Sequence, residues 1–128
     1  MYIYLICTGL LGLLYAALSY NVARLRGAKK VSLGDGGDPQ LQTAIRAHAN
    51  FNEYVPLCLL LIFIVMENYG FRTVAGLSIG LLGARVLHAA GLLGVLKYGR
   101  AAGAMGTLGI LIICSIWIGL LGLGIRLY

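Results

Sequence analysis

The residues best equipped for chemistry in this chain are a handful of polar side chains set in apolar sequence. In Ile45-Arg46-Ala47-His48-Ala49-Asn50-Phe51-Asn52-Glu53-Tyr54, the residues Arg46, Asn50 and Glu53 follow one another at spacings of four and three. At about 100° per helical residue they fall within roughly 60° of one another and form one stripe, while His48 points to another face. A second polar group, Arg85 with His88 one turn on, stands in another apolar stretch. Together with Tyr54 these side chains offer more hydrogen-bonding capacity than one ion pair requires. That surplus suits a site for a polar ligand.

The elements that must position them cross a membrane. The chain has 128 residues, of which 60% are hydrophobic and 11% charged, and its mean hydropathy is +0.91. So few polar groups cannot coat a soluble globule. A helix needs about 20 apolar residues to cross a hydrocarbon core of about 30 Å, so four crossings use almost the whole length. A Rossmann fold, a soluble hydrolase and a nucleic-acid module are thereby excluded, and the net charge of +6 reads as membrane topology.

Residues 1–23 carry no charged side chain and form helix 1, ended by Arg24, Arg26, Lys29 and Lys30. They are about twice as long as the apolar core of a signal peptide and lack its basic start. After Gly34-Asp35-Gly36-Gly37, Asp38 is a good N-cap and Pro39 a good first helical residue, which opens helix 2 over 39–66. Glu67 to Arg72 form a tight turn, helix 3 covers 73–96 and helix 4 covers 101–125. The fold class is thus an all-α integral membrane four-helix bundle, one domain over 1–128.

Four Lys and Arg residues lie between Arg24 and Asp38 and two between Lys97 and Arg100, against only Arg72 and Arg126 at the other side. The basic loops are therefore expected in the cytoplasm and both termini on the non-cytoplasmic side, where Tyr2, Tyr4, Tyr69 and Tyr128 can anchor the interface. The uninterrupted apolar run of helix 2 is only Val55 to Met66, so part of the polar stripe must sit at membrane depth. Counting from the turn, a residue 14 before Glu67 is level with one 13 or 14 after Arg72, which sets Glu53 opposite Arg85. An isolated charge at that depth costs several kcal/mol, so a Glu53–Arg85 ion pair is expected.

The remaining signals are structural. Cys7, Cys58 and Cys114 have no CxxC spacing and only two histidines exist, so no metal site is expected and the cysteines read as small core residues. No Gly-Lys-Ser/Thr follows Gly34 to Gly37, which reads as a flexible turn. The pairs Gly76/Gly80 and Gly99/Gly103, with further glycines at 119, 122 and 124, allow close helix packing.

The segment from Gly34 through Leu41-Gln-Thr-Ala-Ile-Arg46-Ala-His48-Ala-Asn50-Phe-Asn-Glu53-Tyr54-Val-Pro56, followed by Arg85-Val-Leu-His88, closely resembles the MAPEG family, the membrane-associated proteins in eicosanoid and glutathione metabolism. Within that family the chain is similar to the short bacterial branch. The resemblance implies a homotrimer in the bacterial inner membrane, with glutathione as cosubstrate in polar clefts between subunits that open to the cytoplasm. It also assigns Arg46, Asn50, Glu53 and Tyr54 to glutathione contacts on helix 2, His88 to a contact on helix 3, and Arg24 and Arg26 to the peptide's carboxylates. Two positions depart from the pattern: Leu92 replaces a tyrosine one turn after His88, and only Arg100, or Arg26, is available to face the glutathione sulfur. Glutathione is anionic and rich in donors and acceptors, so arginines for its carboxylates and Glu53 for its amine agree with the stripe read from spacing.

The function expected on this basis is a glutathione-dependent transferase or peroxidase. A guanidinium from Arg100 or Arg26 stabilises the thiolate, which attacks a lipophilic electrophile arriving between helices 1 and 4. A non-enzymatic lipid-binding or scaffold protein of the same family is the alternative. A small multidrug transporter is disfavoured because helix 1 has no embedded carboxylate.

Overall fold

The computed structural model describes residues 1–125, which form α1 (Tyr2–Lys29), α2 (Pro39–Met66), α3 (Phe71–Leu92) and α4 (Gly99–Gly122). All four helices are long and apolar enough to cross a membrane. Arg126 and Tyr128 lie outside the described residues.

α1 does not stop at residue 23 but runs through its basic cluster to Lys29. Arginine and lysine are good helix formers, and cations near a helix C-terminus complement its dipole, so charge marks the membrane edge and not the helix end. The end is set by Lys30, whose φ of 54° is left-handed. Arg26 then donates from Nη1 to the carbonyls of Val31 and Ser32 at 3.5 and 3.1 Å, and the Lys29 ammonium donates to the Asp38 carboxylate. These contacts tie the 30–38 loop back on α1 and bring in α2, whose first turn Asp38 caps by accepting from the Leu41 N–H at 2.8 Å.

The Lys29 hydrogen bond, followed by the Leu41 N–H, holds the Asp38 carboxyl below its ordinary range. A carboxyl with a lowered folded-state pKa stabilises the fold above its unfolded value, about 3.9, and that contribution is lost as pH falls through the folded value. Amide exchange in residues 31–42 is therefore expected to be flat from neutral pH down to about 4, once corrected for intrinsic rates, and to rise below it. Asp38→Asn should abolish the rise, and an unchanged profile in that variant would show that the lock does not depend on this carboxylate.

α3 starts two residues earlier than its sequence reading, directly after Gly70, and stops at Leu92 instead of 96. Gly94, at φ 77°, turns the chain, and the Val95 N–H closes onto the Ala90 carbonyl at 3.0 Å. α4 accordingly begins at Gly99 instead of 101, and it ends at Gly122 instead of 125.

In the bundle α1 packs on α2 and α3, and α4 packs on α2 and α3, whereas α1 and α4 do not touch. α2 buries Phe51, Val55, Cys58, Ile62 and Val65, spaced by three and four, into a core shared with Leu11, Leu81 and Cys114, while Leu41 and Ala44 pack with Leu25 of α1 in a second, smaller cluster. All three cysteines are free and buried. Of the expected interfacial tyrosines among the described residues, only Tyr2 is exposed. Tyr4 donates to the Leu59 carbonyl at 3.1 Å, and Tyr69 stacks on Trp117 at 5.2 Å.

The α3–α4 seam is the tightest. α4 buries Gly99, Gly103, Thr107 and Cys114 along one face, and a Cβ at Gly103 would lie 2.6 Å from the His88 Cβ and run into the Ala84 carbonyl oxygen. Because that obstacle is backbone, Gly103→Ala is expected to cost about 1–3 kcal/mol by forcing the helices apart. Gly109, with open space around its Cβ position, is the control. Thermal unfolding in detergent should show a lowered Tm for Gly103→Ala and none for Gly109→Ala; equal Tm values would refute the close seam.

Candidate functional site

Arg85 is the innermost charge, 2% exposed. Its Nη1 and Nη2 both donate to Asn50 Oδ1 at 3.1 Å, and its Cζ lies 5.4 Å from the centre of the Phe51 ring. Glu53 is not its partner, which corrects the expected ion pair. Instead Glu53 Oε1 is 4.0 Å from Arg46 Nη1, and these two side chains are 50% and 65% exposed.

The reason is angular. Measured from buried Phe51 at about 100° per residue, Tyr54 stands roughly 60° round the helix, Asn50 roughly 100°, Arg46 roughly 140° and Glu53 roughly 160°. Only the Asn50 and Tyr54 edge of the stripe borders the bundle interior. Depth alone matched Glu53 with Arg85, but rotation turns Glu53 away.

The Arg85 contact also fixes the Asn50 amide. Since Oδ1 accepts from arginine, Nδ2 is turned away from it as a donor. Beside it lies a small cavity of about 130 Å³, lined by Asn50, Tyr54 and Arg85 and by Met105, Thr107 and Leu108 of α4. Arg46 stands one turn nearer the basic end than Asn50. Arg100 stands one turn nearer that end than Ala104, which also lines the cavity. Two arginines are therefore carried one helical turn from the cavity, which has a donor amide, a phenol and a third guanidinium on its walls. The one carboxylate on this stripe, Glu53, is the group that faces Arg46.

His88 is 5% exposed and lies in the α3–α4 seam, its Nδ1 3.0 Å from the carbonyl oxygen of Arg100. A carbonyl only accepts, so Nδ1 carries the proton. The ring holds the first turn of α4, and with it the Arg100 backbone, but it does not line the cavity. It was expected to contact ligand directly; α3 buries Leu81, Ala84, Arg85 and His88 on one face, which points the imidazole at α4.

Arg24 and Arg26 are elsewhere. Arg24 donates from Nη2 to Asn21 Oδ1 at 3.0 Å, and Arg26 is engaged by the loop carbonyls. α1 meets the opposite flank of α2, where Tyr15 stacks on His48 with ring centres 4.8 Å apart. Within one chain, therefore, neither arginine joins Arg46, Asn50, Glu53 and Tyr54. The α4 wall of the cavity was missed from sequence, although the four-residue spacing of Gly99, Gly103 and Thr107 marks the face that packs there.

A family model of the MAPEG family matches residues 4–121, which takes in all four helices. This chain belongs to the MAPEG family. Inner membrane protein YecN from two strains of Escherichia coli is similar to it, 36% identical in each case over 110 residues, 82% of this chain and 83% of YecN. In this MAPEG chain the family segment on α2 thus contributes an outward stripe and an inward anchor, with Asn50 belonging to both.

Proposed function

We propose that this membrane protein is a glutathione-dependent transferase or peroxidase acting on a lipophilic electrophile from the bilayer. The observation that carries the reading is the stripe itself: Arg46 and Glu53 stand largely exposed on a membrane helix, next to a cavity where Arg85 presents Asn50 as a donor. Charges left facing lipid cost several kcal/mol, so something polar must cover them.

A cavity of about 130 Å³ is too small for a tripeptide, since small-molecule sites run to about 300–1,000 Å³. The reading therefore has a neighbouring copy complete the site, as part of a homotrimer. α1 and α4 are apart within one chain, so the gap through which a substrate arrives between them lies between copies. Arg46 takes a glutathione carboxylate, Asn50 Nδ2 and Tyr54 a carbonyl or carboxylate oxygen, and Glu53 the amine. Arg26 is spent on the loop, which leaves Arg100 to hold the thiolate, with His88 as its positioning residue. The chain supplies no nucleophile. With an aryl halide the thiolate forms the C–S bond as the C–halogen bond breaks and halide leaves. With a hydroperoxide its sulfur takes the terminal oxygen as the O–O bond breaks to give the alcohol, after which a second glutathione displaces water to form the disulfide. The relatives' name agrees with an inner membrane location, and the basic loops favour a mouth of the site that opens to the cytoplasm.

Conjugation of glutathione to an aryl halide and reduction of a lipid hydroperoxide by the detergent-purified protein test the reading, with Arg100→Leu expected to abolish either activity. The scaffold reading draws on Leu92, which puts no hydroxyl one turn after His88. Glutathione binding without turnover against a broad panel would favour it.

A further inference from the structure

The two loops at the basic end stand at different heights. A short turn after Met66 joins α2 to α3 at the far end, so their far ends are level, yet α2 has 28 residues and α3 has 22. The six extra residues, about 9 Å of helix, therefore lie at the basic end and carry the 30–38 loop out beyond the 93–98 loop, which joins α3 to α4. A helix of 22 residues is about 33 Å long, close to the thickness of the hydrocarbon core, so the 93–98 loop lies flush with the membrane surface.

Their backbones differ in the same sense. The N–H groups of Leu93, Val95 and Leu96 donate to carbonyls in the last turn of α3, that of Gly94 to the Gly91 carbonyl, and that of Gly99 to the Leu96 carbonyl. In the 30–38 loop the N–H groups of Ser32, Leu33, Gly34, Asp35 and Gly36 have no partner among the described residues. Unpaired N–H groups need water, whereas a loop that pairs its own can lie where water is scarce.

Side chains complete the contrast. The 93–98 loop exposes Leu93, Val95, Leu96 and Tyr98. Its one charge, Lys97, has its Nζ 5.4 Å from the centre of the Tyr98 ring, and among the described residues no salt bridge engages it. No aspartate or glutamate occurs after Glu67. Aliphatic groups, a tyrosine and a lysine on a long stem match the order of an interface, from acyl boundary to headgroup.

We propose that the 93–98 loop is seated in the bilayer interface at the basic end, with Leu93, Val95 and Leu96 in the acyl boundary and Lys97 on the phosphate of an anionic phospholipid. Burial of the aliphatic groups holds the loop down, and the lysine selects the headgroup by charge. None of the residues assigned to glutathione takes part, so the proposal holds whether or not that reading does.

The test puts a single tryptophan on each loop, as Val95→Trp or Leu33→Trp, in a Trp117→Phe background that removes the chain's one native tryptophan. Leu33, 86% exposed against 72% for Val95, is the control. In nanodiscs of phosphatidylcholine with a minor fraction of phosphatidylglycerol, Val95→Trp is expected to be quenched by lipid brominated high on the acyl chain and shielded from acrylamide, and Leu33→Trp the reverse. Bromine carried on the phosphatidylglycerol should quench Val95→Trp more than bromine on an equal fraction of phosphatidylcholine, and Lys97→Gln should lower that preference about fivefold, as one interfacial charge implies. Equal acrylamide quenching at the two positions would overturn the proposal. So would shielding from acrylamide without quenching by brominated lipid, which would put the loop against a second copy of the chain, or a lipid preference unchanged in Lys97→Gln.

Discussion

Asn50→Leu is expected to be the most damaging single change in the protein, lowering stability by about 3–5 kcal/mol, because it leaves the Arg85 guanidinium in a membrane-embedded core without its acceptor. Both Nη atoms depend on that one oxygen, and among the described residues Nε already has no partner. The nearby Phe51 face offers only a modest compensation, about 0.5–2 kcal/mol.

The pair can be separated by a double-mutant cycle. Asn50→Leu with Arg85→Met removes donor and acceptor together, and should recover most of the loss, since a buried polar pair replaced by apolar groups of similar size is often neutral. Asn50→Asp should remain folded because a carboxylate accepts from arginine at least as well. Yet it lacks Nδ2, so it should bind glutathione less well than wild type. Thermal unfolding in detergent reads all of these. A double variant no more stable than Asn50→Leu alone would mean that the two residues do not act as a pair.

The contrast between Arg85 and Glu53 shows what was legible in the sequence. Four spans, the Asp38-Pro39 start of α2 and the stripe on it could be read from hydropathy, capping and a spacing of four and three. The depth of Arg85 could be read as well. Its partner could not, because depth fixes only position along the helices, while partnership also needs rotation about them, and that depends on how α2 seats against α3. Helix ends were misplaced for a related reason: the basic run after Ala23 marks where the lipid ends, but the helix continues to Lys30, where the backbone turns left-handed. α3 stops at Leu92 because Gly94 turns the chain, an effect of one glycine at positive φ inside an apolar stretch.

The second large effect concerns ligand and not fold. Arg46→Leu should lower the Tm little, because its 4.0 Å contact with Glu53 lies beyond hydrogen-bonding distance and the substitution removes one of the two charges that the bilayer disfavours. Loss of a charge-assisted hydrogen bond, about 1.5–3 kcal/mol, should nonetheless weaken glutathione binding by about 10- to 100-fold. Arg100→Leu should behave differently again. Arg100 has its side chain exposed at the first turn of α4, while its carbonyl is held by His88, so the substitution removes a cation without loosening the helix. Binding should survive in that variant, and thiolate formation should not, since the Arg100 guanidinium is the positive charge assigned to lower the thiol pKa. Calorimetry gives the binding side of this comparison, and an Arg46→Leu variant that binds as tightly as wild type would remove the stripe from the site.

The most direct test of the central claim is a titration of the detergent-purified protein with glutathione at neutral pH, following ultraviolet absorbance in the thiolate band, with Arg46→Leu and Arg100→Leu alongside. The structure and its α2 stripe predict a saturable thiolate signal in wild type, the same signal at weaker affinity in Arg46→Leu, and none in Arg100→Leu. A wild type that binds glutathione with no thiolate signal, or does not bind it at all, would contradict the account.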